Sequence, residues 1–114
     1  MYRFTKNLRI IVVVNKINNY LGICKKAGYL IIGSDNLQDY HQKLYLIIVN
    51  GEKTSTITKL IKRKMEEYEN VMCIIAKEPF SQAIGLQNCK IVGVKNKGIT
   101  EEILKLQNEY ILWN

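Results

Sequence analysis

Residues 44–49 (Leu-Tyr-Leu-Ile-Ile-Val) and 71–76 (Val-Met-Cys-Ile-Ile-Ala) are near-continuous apolar runs of strand length. A strand that is apolar on both faces belongs in the middle of a sheet covered on both sides, whereas a one-sided sheet would show strict alternation. Between the two runs lies an amphipathic stretch with Ile57, Leu60, Ile61, Met65 and Tyr68 at helical spacing. Strand, helix and strand in that order describe a crossover unit of an α/β domain.

The rest of the chain repeats the alternation. Ile17, Tyr20, Leu21 and Cys24 mark a first helix that Gly28 stops, and residues 30–32 are a short strand between Gly28 and Gly33. Ser34 or Asp35 is placed to cap a second helix over residues 35–42, with His41 on its surface. Asn50-Gly51 is a turn, and residues 54–56 offer caps for the third helix. Pro79 suits the first turn of a fourth helix, residues 80–84, ended by Gly85. Residues 89–94 make a further strand, and Ile99, Ile103, Leu104 and Leu106 a last helix. Helices are expected on both faces of the sheet. Residues 15–114 form one domain, too short to divide, while residues 1–14 are a basic arm or an extra N-terminal edge strand.

The chain carries 17 Lys+Arg against 10 Asp+Glu, a net charge of +7, which implies an anionic partner. The excess is uneven: residues 1–28 hold Arg3, Lys6, Arg9, Lys16, Lys25 and Lys26 and no acid. Lys62-Arg63-Lys64 reads as a solvated helix face, lying away from any site near Gly33. Cys24, Cys73 and Cys89 form no C-x-x-C pair, and His41 is the single histidine. Zinc, a disulfide framework and a cofactor are therefore not expected, and the thiols read as buried core residues in a reducing cytoplasm. The run 10–14 is too short for a membrane span or a signal core, so the expectation is a soluble intracellular protein. No acid–base pair, phosphate loop or nucleophile motif is visible, which argues against an enzyme.

The segment from Lys25 to Asn36 combines a paired lysine, a glycine-bracketed strand and a capped helix start, the kind of place where phosphate or base edges are held. Several strings, in order, resemble the YlxQ-like bacterial branch of the kink-turn-binding ribosomal protein family. They are Leu-Gly-Ile-Cys-Lys-Lys-Ala-Gly at 21–28, Gly33 at the second helix, Thr54 to Lys59 opening the third, and Phe-Ser-Gln-Ala-Ile-Gly at 80–85. The similarity spans about residues 15–106.

This resemblance implies an α/β/α sandwich on a four-stranded mixed sheet, no catalysis, and binding of RNA at a bent internal loop. It implies rRNA or structured mRNA as partner, with the ribosome a further one, no DNA, no membrane, and a monomer. Carried over by position, Gly33, Ser34, Asp35, Asn36 and Asp39 fall at the groove-reading places, while Lys25 and Lys26 nearby read either as phosphate contacts or as a solvated helix end that complements the dipole. Leu86, Gln87 and Asn88 fall in the loop that holds a flipped-out nucleotide. Asp35 stands where Asn is usual, Asn36 where Glu is usual, and Asp39 where Lys is usual. Two aspartates facing an RNA backbone are unfavourable. They favour an alternative, a protein–protein interaction module on the same fold.

Overall fold

The structure is a computed structural model that describes residues 15–114; the expected N-terminal arm or strand lies outside the described residues. The elements are α1 (Lys16–Ala27), β1 (Leu30–Ile32), α2 (Ser34–Asp39), β2 (Leu46–Val49), α3 (Ser55–Glu67) and β3 (Met72–Ala76). They are followed by α4 (Ser81–Ile84), β4 (Ile91–Val94), α5 (Lys97–Leu104), a 3-10 turn (Gln107–Glu109) and β5 (Tyr110–Leu112).

Both apolar runs lie side by side in the sheet. β2 and β3 pair in parallel, Leu46 opposite Met72 and Val49 opposite Ile75, with α3 as the crossover. β4 runs antiparallel between β1 and β2, and the strand order is β1-β4-β2-β3-β5. Successive residues of β2 point to opposite faces. Leu46 and Ile48 join a core with Ile17, Leu21 and Cys24 of α1, Ile84 of α4 and Ile103 of α5. Ile47 and Val49 join a second core with Leu37 of α2 and Leu60 and Ile61 of α3. Helices thus cover both faces, giving an α/β/α arrangement.

The sheet has five strands rather than four, and the fifth comes from the C-terminus. β5 pairs antiparallel with β3, Leu112 opposite Ile74 and Tyr110 opposite Ala76. Glu109, just before β5, accepts from the backbone N–H groups of Lys16 and Ile17 at 3.2 and 2.9 Å. A carboxylate there satisfies orphan donors at the start of α1 and complements its dipole. The end of the chain is thereby tied to the first helix.

Gly28 ends α1 in the left-handed conformation (φ 78°), and Thr54 caps α3 by accepting from the Ile57 N–H. Four expectations need correction. Neither Ser34 nor Asp35 caps α2: both lie within the helix, and Gly33 holds the cap position at φ 91° with no side chain to offer. α2 ends at Asp39, so His41 sits in a loop, exposed, with Nδ1 2.8 Å from Glu67 Oε2. Pro79 precedes the Phe80 cap of α4 instead of lying in its first turn, and its carbonyl accepts from the Asn18 side chain.

Lys64 is the fourth correction, because only 2% of it is exposed. It follows Leu60 and Ile61 by four and three residues, on the inward stripe of α3. Its ammonium donates to the Tyr40 carbonyl and to Glu67 Oε1. Holding the Tyr40 carbonyl keeps that residue extended and explains why α2 stops short of residue 42. Among the described residues no helix is long and apolar enough to cross a membrane.

Candidate nucleic-acid interface

Because β4 is antiparallel to both β1 and β2, the C-terminal ends of those two strands meet the N-terminal end of β4. The three chain segments attached there enclose a cleft of about 850 Å³. Residues 33–36 form one wall, residues 50–52 with Thr54, Thr56 and Ile57 of α3 form the second, and residues 87–90 form the third. Backbone bonds hold the walls together: Gly33 N–H donates to Ile91 O at 3.0 Å, and Asn50 N–H donates to Lys90 O at 2.9 Å. Asn88 lies in the left-handed region (φ 65°), which asparagine tolerates better than most residues.

Part of the polar lining is already committed. Asn36 donates its side-chain N–H to Ile32 O at 2.9 Å, and Asn50 donates its own to Ala76 O at 2.9 Å. Thr54 spends its hydroxyl oxygen on the α3 cap. Two carboxylates, Asp35 and Glu52, and one ammonium, Lys90, are among the lining residues. Carboxylates only accept, so the cleft suits amino and hydroxyl donors better than bare phosphate.

Six of the ten residues singled out from sequence converge on this cleft: Gly33, Ser34, Asp35 and Asn36 on one wall, Gln87 and Asn88 on another. Four do not. Asp39 borders a separate shallow hollow with Leu30 and Tyr40. Leu86 is 49% exposed and outside the lining. Lys25 donates from Nζ to Ile84 O at 2.6 Å, closing the end of α4, and so serves the fold. Lys26 is exposed beyond the cleft.

The second wall was missed. Asn50-Gly51 reads as a turn in the sequence, but nothing local says that this turn packs beside residues 33–36. Lys90 was missed for the same reason: its place follows from the register of β4.

The thiols are poor nucleophiles here. Burial pushes Cys24 up to about 11 and Cys73 up to about 12, and it raises Cys89 as well. Among the described residues no group of His, Cys, Asp and Glu is arranged to hold a metal ion.

No family model and no curated protein matches the chain. Among solved structures, a protein with unknown function from Bacillus halodurans C is similar, with a TM-score of 0.67 at 21% identity. The match covers 81% of this chain and 96% of that chain. It is a likeness of fold.

Proposed function

We propose that the chain is a small ribosomal-protein-like RNA-binding protein that takes the distorted part of a kink-turn-like RNA into the cleft between α2 and the α4–β4 loop. The observation that carries this reading is the convergence of residues 33–36 and 87–88 on one cleft. Those are the two segments to which the resemblance to the kink-turn-binding family assigns RNA contact, and they are 51 or more positions apart in the chain. RNA recognition works through splayed bases and bent loops, and a cleft of this size accommodates an extruded base. The net charge of +7 supports an anionic partner. On this reading the protein is a cytoplasmic monomer without catalytic activity, its partner an rRNA or structured mRNA.

The titration that tests it uses purified protein against a kink-turn RNA and a control whose tandem G·A pairs are replaced by Watson–Crick pairs, each at two salt concentrations. Salt-sensitive binding that is lost with the control is expected. Equal binding to both RNAs sinks the specific reading and leaves charge attraction alone.

The excess of Asp35 and Glu52 over Lys90 in the lining favours a second reading, a protein-interaction module. Capture from RNase-treated lysate separates the two, since a protein partner survives the treatment and an RNA-bridged one does not.

A further inference from the structure

α3 reaches the cleft with its cap Thr54 and with Thr56 and Ile57, so the helix that reads as remote in the sequence is one of its walls. Beyond the cleft the same helix carries Lys59, Lys62 and Arg63, all exposed, none in an ion pair with another described residue. Lys59 and Arg63 follow Thr56 by three and seven residues, which puts them on the same side of the helix. At the helical rise they stand about 4.5 and 10.5 Å beyond Thr56 along the axis. Lys64 of the same run is turned inward and occupied by the Tyr40 carbonyl. Glu66 and Glu67 lie at the far end of α3, and Glu67 is held by His41 and Lys64.

The cleft and this helix side have opposite electrostatic characters. A polyanion cannot place its phosphates comfortably beside Asp35 and Glu52, but its bases and ribose hydroxyls offer donors to those carboxylates. Phosphates are met instead by the ammonium and guanidinium just outside. We infer that the sugar–phosphate backbone of bound RNA leaves the cleft along α3, with phosphates on Lys59 and Arg63, while base and ribose groups fill the cleft. This rests on the RNA-binding reading above.

The experiment measures the affinity of the full chain for the kink-turn RNA and its G·A-disrupted control over a salt series. It compares wild type with the Lys59→Ala/Arg63→Ala double variant and with Lys105→Ala. Lys105 is exposed and paired with Glu102 next to α5, on the other face of the sheet, and serves as the control for loss of a cation away from α3. Losing two phosphate contacts should make the slope of log K against log salt shallower by about 1.4–1.8. Lys105→Ala should leave the slope at the wild-type value. Thermal melting of each variant reports whether the fold is intact, which is expected because both α3 positions are exposed.

If wild type prefers the kink-turn RNA and the double variant keeps the wild-type slope, the backbone path along α3 is wrong while the RNA reading stands. If wild type binds both RNAs equally or neither, the RNA reading fails and the path fails with it.

Discussion

Gly93→Ala is the substitution whose effect the structure specifies most fully. Gly93 sits in β4 between Ile31 and Ile47, and a Cβ there would stand 2.9 Å from Leu44 Cδ1, 3.0 Å from Leu37 Cδ1 and 3.4 Å from Ile31 Cδ1. The backbone at Gly93 is not in the left-handed region, so alanine suffers no torsional strain. Removing a glycine from the unfolded ensemble favours the variant by about 0.4–1 kcal/mol. Overpacking a filled core opposes it by about 1–3 kcal/mol. Leu37 and Leu44 are 0% and 5% exposed, so their methyls must turn aside within the core rather than into solvent, and the steric effect is expected to outweigh the entropic gain. The net expectation is a loss of about 1.5 kcal/mol, or roughly 6 °C in Tm for a domain of this size. Urea unfolding should show a lower midpoint at unchanged m-value. Leu37 is the single buried residue of α2, so relief lifts that helix and should shift amide resonances of residues 33–36. A variant as stable as wild type would refute the packing argument.

Lys64→Ala should cost about 2–4 kcal/mol, because it leaves the half-buried Tyr40 carbonyl without its donor and opens space where the buried Lys64 stem packed. Lys64→Met keeps the stem and should lose less; equal losses in urea unfolding would mean that the stem contributes nothing. Glu67 titrates below its ordinary 4.5, chiefly through the hydrogen bond with His41 and, against some desolvation, through Lys64. A depressed folded pKa gives stability that is present above the unfolded pKa and lost as pH falls through the folded one. Glu67→Gln should therefore flatten the acid limb of the stability profile below about pH 4.5, and a limb identical to wild type would show that the pair contributes nothing.

What the sequence made legible was what rests on local pattern. The apolar runs at 44–49 and 71–76 supplied the central parallel pair, Gly28 stopped α1, and Thr54 capped α3. What it concealed depends on distant partners. β5 has three residues, two of them 55% exposed, and it becomes a strand only against the edge of β3. α2 ends early because a lysine from another helix takes the Tyr40 carbonyl. Lys64 was readable in principle, since its spacing from Leu60 and Ile61 places it on the apolar stripe; the basic neighbours Lys62 and Arg63 outweighed that spacing. The candidate site divides in the same way. Its first and third walls hold residues that the sequence singles out, whereas its second wall follows from two strands ending against one.

That topology also decides which part of the cleft bears on ligand choice. The walls are joined by backbone hydrogen bonds, Gly33 to Ile91 and Asn50 to Lys90, which form whatever side chains are present. The shape therefore comes with the fold, and a fold hosts many functions. The side chains are free to differ, and here Asp35 and Glu52 oppose Lys90 in the lining while Lys59 and Arg63 stand just beyond it. On the proposed reading, shape and acceptor-rich lining select the distorted loop, and the cations outside supply salt-dependent attraction. A protein partner would need to invert this pattern, bringing cations to Asp35 and Glu52 and acids to α3. The two readings thus make opposite demands on the same few charges.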